Sequence, residues 1–147
     1  MDLNYLLDAV SNSYTGISGG NNVNFKRLAA KIGKGKAMFR LGVFFHEGYG
    51  GVKKDVRQSM KWIMKAIKNE YAPAMSYLGV IYNTGDGVTV NKAKAIELWN
   101  KAMALGDCLG YLYMAVAYKN GDGVIRDVVK ADLLWSRFLE LAEQSEK

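Results

Sequence analysis

The segment LGVIYNTGDGV, residues 78–88, occurs in three related copies in this chain of 147 residues. The first copy is LGVFFHEGYGGV at 41–52, and the third is MAVAYKNGDGV at 114–124. The copies are spaced by about 36 residues, and the first contains one extra loop residue. A period of this length is typical of a solenoid, in which each unit exposes an apolar face that a neighbouring unit covers. The repeat therefore indicates the architecture before any single residue is considered.

Each copy predicts two antiparallel helices, A and B, joined by a glycine-containing turn. In the second copy Ala74, Leu78 and Tyr82 recur every four positions, which is helical periodicity. A glycine then stands where helix A should end, because glycine adopts the left-handed conformation of a C-cap without strain. After the turn, a short Asp or Asn side chain is expected to cap helix B. The predicted C-caps are Gly48, Gly85 and Gly121, and the predicted N-caps are Asp55, Asn91 and Asp127.

Helix A of the first unit is expected over residues 37–47, and Gln58 is expected to complete a capping box with Asp55. The B helices are expected to bury their large apolar residues. These predicted core positions are Trp62 and Ala66 in the first unit, Leu98, Trp99 and Ala102 in the second, and Leu134, Trp135 and Phe138 in the third.

The pattern A-x-x-x-L-G-x-x-Y-x-x-G-x-G-V-x-x-D-x-x-K-A-x-x-W-x-x-K-A resembles the Sel-one-like repeat, a relative of the tetratricopeptide repeat. The second unit matches it almost throughout, from Ala74 to Ala102. The first unit departs at Phe45, which replaces the tyrosine, and the third at Ala115, which replaces the small glycine. The resemblance implies an all-α fold: a right-handed α/α superhelix, or solenoid, of three helix-turn-helix repeats.

One structural domain is expected. Residues 1–36 would form an N-terminal helical cap that includes a degenerate half repeat, because terminal repeats are atypical where one side faces water. Short helices are expected there over 3–10 and 24–32. The three repeats would then occupy 37–72, 73–106 and 107–147, the last with a polar tail.

The net charge of +6 is unevenly distributed, since residues 1–70 hold 12 Lys and Arg against 5 acids. The single cysteine excludes an internal disulfide, and no apolar run reaches the length of a membrane span. The N-terminus has no basic segment of the kind that opens a signal peptide. These features predict a cytoplasmic protein.

The residue types needed for catalysis are scarce. His46 is the only histidine and is expected to face solvent, and Cys108 is expected to be a half-buried thiol in or just before a helix. No Cys/His spacing suggests zinc, and the glycine pairs lack the Lys-Ser/Thr ending of a phosphate-binding loop. We therefore expect no catalytic, cofactor or metal site. Hydrolase activity, described for some cysteine-rich relatives, is the less favoured alternative and would require a cleft that joins His46 to carboxylates.

Candidate partner-binding residues come from helix A, because the resemblance implies that these helices line the concave surface of the solenoid. The equivalent positions form three rows: Arg40, Tyr77 and Tyr113; then Phe44, Ile81 and Ala117; then Glu47, Thr84 and Asn120. An exposed cluster of Arg, Tyr and Phe has the composition of an interaction hot spot. Burial of Phe44 and Ile81 between repeats is the alternative.

A basic stripe is the second candidate surface, and its residues are Lys26, Arg27, Lys31, Arg57, Lys61, Lys65 and Lys68. It could attract an acidic protein or a nucleic acid. It lacks interleaved exposed aromatic residues and any DNA-binding motif, so nucleic-acid binding is the less favoured alternative.

The resemblance implies a non-enzymatic protein-binding module that acts as an adaptor, regulator or inhibitor. It also implies mostly bacterial roles, among them regulators of secretion and virulence and immunity proteins encoded beside toxins. Oligomerisation through an uncovered terminal repeat is a further possibility. The residues do not identify the partner or the oligomeric state.

Overall fold

The computed structural model describes residues 32–48 and 53–147, and the regular secondary structure in these ranges is entirely helical. The helices are α1 (Lys34–Glu47), α2 (Val56–Lys68), α3 (Ala72–Thr84), α4 (Lys92–Ala104), α5 (Cys108–Asn120) and α6 (Val128–Ser145). The all-α prediction is confirmed, with α1, α3 and α5 as the A helices and α2, α4 and α6 as the B helices. Helix α1 starts three residues before the predicted position, directly after Gly33.

Several predictions fall on residues outside the described ranges. These are the helices expected over 3–10 and 24–32, most of the N-terminal cap, the first-unit turn at 49–52, and the basic residues Lys26, Arg27 and Lys31.

The chain divides into two compact units, residues 1–71 and residues 72–147. In the first unit α1 packs against α2 through a close helix approach. A Cβ atom on Gly42 would lie 2.5 Å from the Cγ1 atom of Ile63, so only glycine fits there. The Ser59 hydroxyl donates a hydrogen bond of 2.7 Å to the Gly42 carbonyl oxygen and satisfies a polar group at this buried contact.

The second unit stacks α3, α4, α5 and α6, each against the next. Its central core contains Ala95, Trp99, Met114 and Ala117, all of which are buried. The Trp99 indole lies where a Cβ atom on Gly79 would stand, and its Nε1–H donates a 3.1 Å hydrogen bond to the Ser76 carbonyl oxygen. Trp99 is thus held against α3 by both packing and a hydrogen bond.

The predicted caps are confirmed at all three turns. The C-cap glycines Gly48, Gly85 and Gly121 have φ values of 72°, 72° and 66°. The Asp55, Asn91 and Asp127 side chains accept hydrogen bonds of 3.1, 3.0 and 3.0 Å from the backbone N–H three residues later.

The capping box predicted at Asp55 is wrong in its second half. The Asp55 N–H donates to the Phe45 carbonyl oxygen at 2.9 Å, which takes the place of the expected bond to the Gln58 side chain. Asn91 and Asp127 bond in the same way to the carbonyl oxygens of Tyr82 and Tyr118, at 2.9 and 3.0 Å. Each N-cap therefore ties its own helix B to the last turn of helix A.

Four predicted core positions are not fully buried: Leu134 and Phe138 are half-buried, and Trp62 and Trp135 also depart from the prediction. Trp135 is 46% exposed, because in the described chain no A helix follows α6 to cover it as α5 covers Trp99. In the first unit Ile63 is fully buried, whereas Trp62 is half-buried beneath the Lys65 ammonium. Ile63, not Trp62, stands 36 positions before Trp99 and occupies the equivalent place.

Candidate functional site

The structure places the predicted rows of helix A at different depths. Arg40, Tyr77 and Tyr113 are half-buried, with part of each side chain at the surface. Glu47, Thr84 and Asn120 are exposed at the ends of their helices. The Thr84 hydroxyl donates to the Val80 carbonyl oxygen at 2.8 Å, so it is engaged by its own helix.

The middle row is largely buried. Phe44, Ile81 and Ala117 are 6%, 2% and 4% exposed, which agrees with the alternative of burial given for Phe44 and Ile81, although Phe44 and Ala117 still contribute to the lining of grooves. A helix turns by about 100° per residue, and the position four residues after the Arg40, Tyr77 and Tyr113 row points further towards the core than the position three residues after it.

The position three residues after that row is the one that the sequence analysis missed. It holds Val43, Val80 and Val116, each of which lines a surface groove. The signal was present, because a β-branched apolar residue recurs there in all three A helices.

The second unit contains a groove of about 130 Å³ between α3 and α5. It is lined by Val80, Asn83, Trp99, Tyr113, Val116, Ala117 and Asp122. The Tyr113 ring stacks on Trp99 with 5.3 Å between ring centroids and 27° between ring planes. Since Trp99 is itself fixed to Ser76, this aromatic pair forms a rigid apolar floor.

Lys92 organises the polar rim of this groove. Its ammonium donates to the backbone oxygen of Asn83, to the Asn83 side-chain oxygen and to Asp122 Oδ2, each at 3.0 Å. One side chain on α4 thus joins α3 to the turn that follows α5. These three hydrogen bonds engage all the donors of the ammonium and hold Asn83 and Asp122 in place at the groove.

Tyr113 is held in its neutral form. Burial raises the pKa of the Tyr113 phenol, and the nearby Asp107 carboxylate raises it further. Asp107 in turn accepts a 2.6 Å hydrogen bond from the Ser76 hydroxyl. A tyrosine phenol is protonated at neutral pH in any case, so Tyr113 keeps a hydroxyl that can donate to a ligand, and the raised pKa extends this to more alkaline pH.

The first unit has its own groove of about 220 Å³, lined by Phe39, Arg40, Val43, Phe44 and Tyr71. Phe39 and Tyr71 contact each other with ring centroids 5.5 Å apart. Arg40 makes this groove cationic, in contrast to the mixed rim of the α3–α5 groove.

The described part of the basic stripe lies on α2. Arg57, Lys61 and Lys68 are exposed, whereas Lys65 is half-buried with its ammonium 4.6 Å from the centre of the Trp62 ring. Helix α2 carries no carboxylate, so its positive charge is not neutralised within the helix.

His46 and Cys108 lie in different units of the chain. His46 is buried, so the expectation of a solvent-facing imidazole is wrong, and its Nδ1 lies 3.2 Å from Glu47 Oε1. Cys108 is a half-buried free thiol in the first turn of α5, as predicted. Across residues 32–48 and 53–147, no cluster of His, Cys, Asp and Glu could hold a metal ion. Over the same residues, no helix combines the length and the apolar character needed to cross a membrane.

Two curated proteins match parts of the chain. The Arabidopsis thaliana protein described as ERAD-associated E3 ubiquitin-protein ligase component HRD3A is 33% identical over 58 residues, which are 40% of this chain and 9% of that protein. The Saccharomyces cerevisiae chitin synthase regulator SKT5 is 34% identical over 93 residues, 58% of this chain and 13% of that protein. The matched segments are thus only about a tenth of these relatives.

Two solved structures match 92% of the chain. A protective antigen of uropathogenic Escherichia coli strains, which displays an SLR fold, superposes with a TM-score of 0.70 at 31% identity, over 30% of that protein. A Sel1 repeat protein from Oxalobacter formigenes superposes with a TM-score of 0.69 at 27% identity, over 58% of that protein. The helical hairpins described above therefore have the SLR fold.

The Sel1 repeat family model matches residues 35–71, 72–107 and 109–131, about two thirds of the chain. These segments correspond to the α1–α2 and α3–α4 hairpins and to α5 with the start of α6. The glycine turns, the capped B helices and the close helix contacts at Gly42 and Gly79 recur at the family's period, and the chain belongs to the Sel1 repeat family.

Proposed function

We propose that this chain is a non-enzymatic protein-binding module, an adaptor, regulator or inhibitor, that accepts apolar side chains of a partner in the α3–α5 groove. The observation that carries the proposal is the Trp99–Tyr113 stack, which forms the base of the groove between half-buried Val80 and exposed Val116. Aromatic side chains that form a rigid, partly desolvated floor are typical of interaction hot spots.

The geometry favours binding with little reorganisation. Trp99 is hydrogen-bonded to the Ser76 carbonyl oxygen, and Lys92 forms an ion pair with Asp122 at the edge of the groove. Both helices that border the groove, α3 and α5, end at C-cap glycines. A surface ordered before the partner arrives loses little conformational entropy on association. Two relatives, a ligase component and a synthase regulator, are proteins that by name act with or on another protein, and we extend that role to this chain.

The test compares two lysine substitutions in the same unit. Val80→Lys places a charge in the groove, whereas Val90→Lys changes an exposed valine outside it. Each tagged variant is used for affinity capture from the native organism at physiological salt, after circular dichroism has shown that its helices are intact. We expect Val80→Lys to lose one specific partner that the wild type and Val90→Lys retain. Equal capture by all three proteins would exclude the groove.

The basic stripe supports a second candidate function, in which α2 binds an acidic protein surface. Its four cations follow one another at spacings of four, four and three residues, with no acid in the helix. Replacement of Arg57, Lys61 and Lys68 by Ser should abolish capture of such a partner and leave groove binding intact. Binding to nucleic acid would instead show as a mobility shift that falls steeply with added salt.

The cytoplasmic location, the bacterial role and the acidic character of the partner belong to this proposal as well. Localisation of a tagged copy in the native organism tests the first of these. The identity of the captured protein tests the other two.

A further inference from the structure

A second groove lies between α5 and α6, and Val116 is the one lining residue that it shares with the α3–α5 groove. Its volume is about 260 Å³, and it is lined by Ala115, Val116, Lys119, Ala131, Asp132 and Trp135. Ala131, Trp135 and Leu139 are spaced by four residues on α6, and the last two are each 46% exposed. The result is an apolar stripe along one side of the helix.

Comparison with the preceding repeat indicates what kind of element fits this groove. Each lining residue stands 36 positions after a residue of the preceding repeat, and the counterparts are Gly79, Val80, Asn83, Ala95, Ile96 and Trp99. In that repeat α5 covers the counterpart surface with Tyr113, Met114 and Ala117, which pack against Trp99 and Ala95. The α5–α6 groove is therefore the equivalent of an established helix-binding surface, without its helix.

The residues of α6 itself argue against occupation by a regular next repeat of the same chain. After α4 the chain turns at Gly106, whose φ is 81°, but Ala142 occupies the equivalent position and α6 continues to Ser145. Ala102, which a Cβ atom on Gly110 would approach to 3.1 Å, is replaced by the bulky Phe138. A helix that folded back from α6 would lack the turn and would meet the Phe138 ring at its start.

The rim of the groove also differs from its counterpart. Lys119 replaces Asn83 and Asp132 replaces Ile96, so the groove has a cation on α5 and a carboxylate on α6. A bound helix that carries an acid towards α5 and a base towards α6 would match both charges.

We propose that the α5–α6 groove binds an amphipathic helix from a separate protein, in the place that residues 113–117 of α5 take on the preceding repeat, so that this helix begins beyond the Phe138 ring. The helix would present an aromatic residue, an adjacent apolar residue and a small residue at positions i, i+1 and i+4, as Tyr113, Met114 and Ala117 do. This is the helix-in-groove mode of recognition. It extends beyond the proposed function, because it uses a different surface.

The probe is a fluorescent, stapled peptide that copies residues 111–120, which leaves out the Gly110 turn that would meet Phe138, with the staple on the side opposite Tyr113. Its anisotropy is measured against the full chain. We expect saturable binding that Trp135→Ala weakens at least about tenfold, because that change removes the largest apolar contact. Leu133→Ala is the matched control, since Leu133 is exposed on α6 outside the groove lining.

A second variant tests whether weaker peptide binding by Trp135→Ala could result from loss of the fold. Asp132→Trp fills the groove instead of emptying it and should also block the peptide, with the helical circular dichroism unchanged. Val80→Lys should leave peptide binding intact, so failure here is distinguishable from failure of the α3–α5 groove. No saturation up to about 1 mM peptide, or equal binding by Trp135→Ala, would overturn the proposal. Concentration-dependent self-association that Trp135→Ala abolishes would also overturn it, because the occupant would then be a second copy of this chain.

Discussion

Trp99 and Trp135 stand 36 residues apart at the same repeat position, yet Trp99 is 3% exposed and Trp135 is 46% exposed. Trp99 lies against Gly79, bonds to Ser76 and is covered by Tyr113. The position that corresponds to Gly79 is Ala115, which carries the Cβ atom that on Gly79 would meet the Trp99 indole. Equivalent positions in two repeats can therefore hold the same residue and still differ in burial. The elements that pack against each position decide whether its residue is in the core or at the surface.

The largest expected effect comes from truncating each tryptophan. Trp99→Ala removes a buried, hydrogen-bonded ring and should lower the free energy of unfolding by about 3–5 kcal/mol. Trp135→Ala removes a half-exposed ring and should cost about 1 kcal/mol or less. Urea unfolding followed by circular dichroism measures both values. Equal losses would mean that Trp135 is as well packed as Trp99.

Exchange of the small residues beneath the tryptophans should have a smaller effect. Gly79→Ala places a Cβ atom against the Trp99 indole, and we expect a loss of about 1–3 kcal/mol from overpacking. Ala115→Gly is the reciprocal change and should cost only about 0.5–1 kcal/mol, the usual cost of glycine inside a helix. Differential scanning calorimetry of the two variants gives the order, and a reversed order would contradict the proposed role of Gly79.

The helix N-caps should respond equally in the two repeats, because a cap is a local interaction. Asn91→Ala and Asp127→Ala each remove the acceptor for a backbone N–H bond of 3.0 Å and should each cost about 1 kcal/mol. Thr89→Ala, at an exposed position of the same turn as Asn91, is the control. Chemical unfolding measures the differences. A cap effect seen in only one repeat would show that the turns depend on the surface that follows.

The smallest effect is expected at the rim of the α3–α5 groove. Lys92→Met removes a partly exposed ion pair with Asp122 and should cost about 0.2–1 kcal/mol. Because added salt screens such pairs, the difference from wild type should shrink between low and high salt in parallel unfolding curves. Val128 stands at the counterpart position, so Val128→Met should show no salt-dependent difference.

Much of the fold could be predicted from the repeat. The helices, the C-cap glycines and the N-cap Asp and Asn residues follow from local conformational preferences that act within a few residues of each position. The bond from the backbone N–H of each N-cap residue to a carbonyl oxygen of helix A could not be predicted from the sequence, because it depends on the position of the end of helix A. Gln58 fitted a capping-box pattern, but the Phe45 carbonyl oxygen reached the Asp55 N–H instead.

The candidate site could be predicted only in part. Tyr113 lines the α3–α5 groove, but the choice between Ile81 and Val80 as the groove residue required the packed structure. Both are β-branched and apolar, and they differ by one helical step of about 100°. His46 was misjudged for the same reason, because burial depends on the neighbouring elements and not on helical periodicity alone.

The amino-acid sequence by itself determined the repeat period, the hairpin of each unit and membership of the Sel1 repeat family, because these follow from residue spacing and local backbone chemistry. Only the tertiary structure decided that Trp99 is buried at the base of the α3–α5 groove, whereas Trp135 is exposed in the α5–α6 groove. It also decided that Val80, not Ile81, lines the α3–α5 groove. The physical reason is that caps and turns are short-range interactions, whereas burial depends on what packs against each helix. In a stacked repeat, that neighbour is another unit of almost the same sequence.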